Sequence, residues 1–171
     1  MDFSYISSGI LMNPILSKEP VQRANKSLKE FNQNLNIICL EQTAKTAQDA
    51  ATALGCSVGA IVKSLLFKAS DTFILCLVSG NKKCSLNKLK KITEIKDISM
   101  AVPDDVKRIT GYTIGGVSPV GHLEKLNIYL DDTLEQFKDL YAAAGHPNCV
   151  FKISFIDLHK MTNSKIADIT E

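Results

Sequence analysis

The chain has 171 residues, close to the modal length of a single domain. That is long enough to bury roughly 70% of its unfolded surface without disulfides or metals. A hydrophobic fraction of 45% and a charged fraction of 22% exclude disordered, collagen-like and coiled-coil classes, and a net charge of +2 excludes a uniformly cationic nucleic-acid binder, though not one held by a local patch.

Residues 1–16 carry little pattern and read as a loosely attached arm, so that 17–171 form the domain proper. Val21, Ala24, Leu28 and Phe31 recur at helical spacing, with Pro20 where the first turn tolerates it. Asn36 to Leu40 reads as a short strand. Thr46-Ala-Gln-Asp49 has the form of a capping box, and Gly55 is placed to end the Ala-rich helix that follows. Ile61 to Lys68 and Phe73 to Ser79 read as strands joined by a turn at Ala69-Ser-Asp-Thr72, the spacing of an antiparallel hairpin.

Ser85 can cap a helix through Ile92 with Leu86, Leu89 and Ile92 inward, and Asp104 can cap another ending at Gly111. After the glycine-rich loop Gly115-Gly-Val-Ser-Pro-Val-Gly121, a strand is expected at Ile128 to Leu130 and a helix at Thr133 to Ala144. Cys149 to Ile153 reads as a strand and Asp157 to Thr162 as a helix. Helices and strands alternate irregularly around at least one hairpin, which predicts an α+β single domain with a mixed β-sheet flanked by helices.

The five cysteines are odd in number and form no CxxC pair, so they read as small buried thiols of a reducing compartment. The N-terminus lacks a basic signal region and no apolar run reaches membrane length. A cytoplasmic protein without membrane contact is expected. His146 and His159 lack metal-ligand spacing, so no metal and no cofactor is expected.

The charges are unevenly placed. Asn81 to Arg108 holds eight basic residues against four acids, a local +4, whereas His122 to Glu171 holds five against eight, a local −3. The basic segment suits either a phosphodiester backbone or a solvated lysine-rich helix face.

Two features point to chemistry. Lys63 shares a strand face with Ile61, Leu65 and Phe67, so it either snorkels to solvent or lines a pocket. In the glycine loop, the backbone can approach a ligand closely and offer N–H groups to an anion or carbonyl oxygen, or it can serve as an ordinary turn. It is neither a phosphate loop nor a GxGxxG fingerprint.

In this order, Gly55-Cys-Ser-Val-Gly-Ala-Ile-Val-Lys-Ser-Leu65, Leu77-Val-Ser-Gly80 and Thr110-Gly-Tyr-Thr-Ile-Gly-Gly-Val-Ser-Pro-Val-Gly-His122 resemble the YbaK / prolyl-tRNA synthetase editing-domain family. The Ala-rich helix before them and Asp157-Leu158, Thr162 and Ala167-Asp-Ile169 after them are similar too. The resemblance spans about Val21 to the end of the chain.

It implies a free-standing hydrolase that cleaves the ester between a wrong amino acid and tRNA, most naturally the proline-accepting tRNA. The family's pocket lysine matches Lys63 and its GxxxP loop matches Gly115 to Pro119. On that reading Lys63 anchors the terminal adenosine, and N–H groups near Gly115 and Gly116 hold the aminoacyl carbonyl. Ser118, Pro119, His122 and Thr46 are the expected substrate-binding residues, with His122 serving either the substrate or a structural hydrogen bond. The nucleophile is then a water or, for a cysteinyl substrate, its own thiol; neither Ser118 nor Ser64 has an adjacent base.

The partners implied are the aminoacylated tRNA end and prolyl-tRNA synthetase, with a monomer as the simplest state. The rival class is a non-catalytic domain of the same fold that binds tRNA ends or a synthetase. One departure bears on specificity. Many members carry Ser/Ala-Gly-Arg-Gly where this chain has Ala143-Ala-Gly-His-Pro-Asn148, so the amino acid removed is inherited less directly than the reaction class.

Overall fold

The computed structural model describes residues 13–41 and 44–171. Residues 1–12 of the N-terminal arm lie outside the described residues. Pro14–Ser17 forms a 3-10 turn, and its Ile15 and Leu16 pack against the main core.

Helix α1 (Glu19–Phe31) buries Val21, Ala24 and Leu28, the spacing that puts one stripe against a sheet. Strand β1 (Ile37–Cys39) follows, then α2 (Ala47–Leu54), which opens on the Thr46–Asp49 capping box and stops at Gly55 in the left-handed region. A 3-10 turn at Val58–Ala60 leads into the hairpin of β2 (Ile61–Ala69) and β3 (Thr72–Ser79).

Helix α3 (Leu86–Thr93) is capped by the Ser85 hydroxyl. Only Leu89 of its apolar stripe is fully buried. Leu86 and Ile92 stand at the exposed margin rather than inward, because the helix covers one edge of a small core and not a broad face. Strand β4 (Ile98–Met100) precedes α4 (Pro103–Thr110), whose N-cap is Val102, with Pro103 in the first turn and Asp104 already inside the helix.

Strand β5 (Asn127–Asp131), β6 (Leu140–His146), β7 (Cys149–Ile153), α5 (Phe155–Thr162) and β8 (Lys165–Ala167) complete the order. The helix expected at Thr133 to Ala144 is replaced by a 3-10 segment, Asp132–Gln136, and by β6. Alanine favours helix in isolation. Here pairing to β7 and the burial of Leu140, Ala142 and Ala144 on one side outweigh that preference.

The sheet has eight strands in the order β1-β7-β6-β2-β3-β5-β8, with β4 paired to β2. Parallel contacts (β2 with β6, β3 with β5, β5 with β8) mix with antiparallel ones. One face, through Val62, Leu66, Leu75, Leu77 and Leu130, packs under α1, α4 and α5. The other carries Phe67, Ile74, Cys76 and Val78 against Leu89 and Ile169. Ala50 and Ala51 of α2 seal a third cluster over Ile61 and Val150.

Candidate active site

Strand β2 is paired to β3 from Val62 to Ala69 but divides its other edge between two partners. Strand β6 meets it only at Ile61 and Val62, and β4 only at Phe67 to Ala69. Between them the edge from Lys63 to Leu65 is open. A cavity of about 360 Å³ occupies this parting, and consecutive residues Ile61 to Leu66 all line it, as an edge-on view of a strand requires.

The direction of the open backbone follows from register. The Leu66 carbonyl accepts from the Ala101 N–H at 3.0 Å, so Leu66 turns its polar groups away from β3. Backbone groups alternate between the two edges of an antiparallel strand, and the β2–β3 register is unbroken. Ser64 therefore directs its N–H and C=O into the cavity as well. Its hydroxyl is shielded from solvent and has no hydrogen-bond partner among the described residues.

Lys63 lies on the cavity wall, and its Nζ donates to the Lys82 carbonyl at 2.6 Å. The ammonium is thus neither free in solvent nor unpaired. It has three donors, and this bond uses one. Burial holds the Lys63 pKa below the ordinary lysine value, and the charge of Lys83 adds in the same direction.

Gly115 also lines the cavity, in the left-handed region at φ +90°. The N–H groups of Gly115 and Val117 find no acceptor among the described residues. Gly116 differs: its N–H donates to the Thr113 carbonyl at 2.9 Å, and it does not line the cavity. A Cβ at Gly116 would stand 3.0 Å from the His146 backbone, so this glycine lets the loop seat against the β6–β7 turn.

Thr46 lines the cavity while its hydroxyl accepts from the Asp49 N–H at 3.1 Å. Ser118, Pro119 and His122 stand off the cavity. Ser118 is fully buried, and Pro119 and His122 line a separate open groove of about 560 Å³. The His122 Nε2 meets the Ser118 carbonyl at 2.6 Å, and burial pushes its pKa down. Arg23 from α1 donates to the carbonyls of Thr110, Gly111 and Gly121 and lies 4.4 Å over the Tyr112 ring. These residues brace the loop from behind.

The stretch Ala143 to Asn148, singled out in the sequence as bearing on specificity, supplies Ala143 and Pro147 to the wall, while Tyr141, Ala142 and Val150 beside them and Met100 and Ile114 were missed. The signal available was the two-residue alternation of Leu140, Ala142 and Ala144 running into a His-Pro-Asn turn.

Among the described residues, no carboxylate, histidine or thiol lines the cavity. The residues with polar side chains that line it are Lys45, Thr46, Lys63, Ser64 and Tyr141. One acidic cluster elsewhere, Asp131, Asp132 and Asp168, brings carboxylates within 4.8 Å of one another. Asp131 already accepts from the Ile169 N–H and the Thr170 hydroxyl, and Lys88 pairs with Asp168. Such a cavity suits a substrate that supplies its own reactive group.

The family model of the aminoacyl-tRNA editing domain matches residues 41–161. This chain belongs to the aminoacyl-tRNA editing-domain family. A Bacillus subtilis relative, "Uncharacterized protein YwhH", is 30% identical over 138 residues, 80% of this chain and 87% of its own. An Enterococcus faecalis relative named "Putative Cys-tRNA(Pro)/Cys-tRNA(Cys) deacylase EbsC" is 29% identical over 73% of this chain and 77% of its own.

A solved structure described as "a putative trans-editing enzyme for prolyl tRNA synthetase" superposes on this editing domain with a TM-score of 0.86. It is 34% identical, covering 90% of this chain and 98% of that one. The mixed sheet and the five helices among the described residues thus match the fold of that structure. No helix among the described residues is long and apolar enough to cross a membrane.

Proposed function

We propose that this editing domain is a deacylase acting in trans in the cytoplasm on mischarged tRNA, with a small wrong amino acid on the proline-accepting tRNA as its substrate. The observation that carries the reading is the parting of the sheet at β2. One small cavity there is lined by Lys63 and by Gly115 and Val117, whose N–H groups find no acceptor among the described residues, and this supports the reading.

Two ammonium protons of Lys63 remain for the phosphate of the terminal adenosine, the charge-assisted contact that fixes the ester. The Gly115 N–H, joined by that of Val117, faces the aminoacyl carbonyl and stabilises the oxyanion that forms on attack. A water oriented by the ribose hydroxyl next to the ester is the nucleophile. It adds to the carbonyl, and the tetrahedral intermediate collapses to free amino acid and tRNA with an intact terminal ribose. No general base from the protein is required. The Ala and Val walls admit a small side chain and separate similar ones only weakly.

The test is release of amino acid from a panel of tRNAs mischarged with Ala, Ser, Cys, Thr and 2-aminobutyrate, each on proline- and cysteine-accepting tRNA. Turnover on at least one proline-accepting tRNA is expected. Tight binding of the panel without turnover would assign the fold a carrier role instead.

A further inference from the structure

Beyond catalysis, β1 and β7 place two cysteines directly opposite one another. Cys39 pairs with Cys149 in antiparallel register. The Leu40 N–H donates to the Asn148 carbonyl at 2.7 Å, a bond between the flanking residues. Cys39 and Cys149 are therefore a non-hydrogen-bonded pair, the kind whose Cα atoms lie about 4.5 Å apart with side chains drawn together. That separation falls within the roughly 4.4–6.8 Å that a disulfide spans.

We propose that Cys39 and Cys149 form a reversible disulfide that ties together the two segments walling the cavity. Strand β1 is an edge strand of the sheet, and Cys39 is partly exposed while Cys149 is buried. Just beyond Cys39, Ala44, Lys45 and Thr46 line the cavity. On either side of Cys149, Pro147 and Val150 line it too.

The oxidant is a low-molecular-weight disulfide. The Cys39 thiolate attacks one of its sulfurs and expels one small thiolate. The Cys149 thiolate then attacks the Cys39 sulfur and expels the second. Two protein thiols lose two protons and two electrons, and the small disulfide is reduced to two thiols. Burial pushes the Cys149 thiol up to about 12, which fits its place as the second, resolving partner.

The competing sulfur pair is Cys76 and Cys84. Cys76 lies fully buried on β3, opposite Leu65 rather than a cysteine.

The experiment treats the folded protein with glutathione disulfide and maps its peptides by mass spectrometry. A loss of two hydrogen masses is expected, with the peptides of Cys39 and Cys149 joined and released by dithiothreitol. The link should persist in a Cys56→Ser/Cys84→Ser variant and vanish in Cys149→Ser. Hydrogen exchange of the amides at 44–47 should slow on oxidation and recover on reduction.

A glutathione adduct on Cys39 that never resolves, a link between other cysteines, or a link formed only in denaturant would overturn the site. A Cys39–Cys149 link with unchanged exchange at 44–47 would overturn its tie to the cavity. These readouts do not depend on turnover.

Discussion

Replacing Lys63 by alanine separates an anchoring role from a packing role. The substitution removes an ammonium that bonds the Lys82 carbonyl at 2.6 Å and, on the proposed reading, a substrate phosphate. A hydrogen bond to a charged partner contributes about 1.5–3 kcal/mol, which is roughly 10- to 150-fold in kcat/KM. The cost to folding is smaller. Water can replace the lost donor at the half-buried Lys82, so losing that bond and some packing of the aliphatic stem costs about 1–2 kcal/mol. In a chain of this size that lowers Tm by roughly 2–8 °C.

The assay is single-turnover release of amino acid from the best substrate of the panel, at a temperature where circular dichroism shows both proteins folded. Lys63→Arg, which keeps the charge on a different shape, should recover part of the loss. A Lys63→Ala protein that is folded and within twofold of the parent would refute the anchoring role.

Three further outcomes follow from the same geometry. Because burial lowers the Lys63 pKa below 10.5, the charged form, and with it activity, is present at lower pH and is lost as pH rises through that depressed value. The alkaline limb of kcat/KM, after subtraction of spontaneous hydrolysis, should therefore move to higher pH in Lys63→Arg; an unmoved limb assigns it to another group. Gly115→Ala places a side chain at φ +90° while its Cβ meets only Pro147 Cγ at an ordinary 3.5 Å, so the cost is backbone strain of about 1–2 kcal/mol. Loss of turnover exceeding what the Tm shift explains is expected, and full activity would remove the loop from the mechanism. In the basic segment, Lys88 and Arg108 are already paired with Asp168 and Asp105, whereas Lys83, Lys91 and Lys96 are among its exposed lysines. Changing those three to glutamine should flatten the salt dependence of tRNA binding by about 0.7–0.9 in log–log slope for every phosphate no longer neutralised; an unchanged slope makes the segment a solvated face.

Local rules made much of the fold legible in advance. The Thr46–Asp49 capping box, the stop at Gly55 and the β2–β3 hairpin depend on neighbours a few residues apart, and all three stand in the structure. The segment 133–144 did not yield to the same rules, because its Ala-rich run satisfies helix propensity locally and strand pairing only through distant β7. Strands β4 and β8, three residues each, carry too little pattern to register without their partners.

Residue order alone was enough to specify an α+β domain of modest net charge, and to mark Lys63 and Gly115 as the residues most in need of a chemical explanation. A lysine among apolar neighbours and a glycine-rich loop are anomalies of local chemistry, visible without coordinates. That they face one cavity, and that Ser118, Pro119 and His122 stand away from it, emerged only from the folded chain. So did the bond that the Gly116 N–H makes to Thr113, and the placement of Cys39 opposite Cys149, 110 positions along the chain. The cavity is a gap in the pairing of β2 between β6 and β4, and a gap between partners so distant in sequence exists only once long-range register is set.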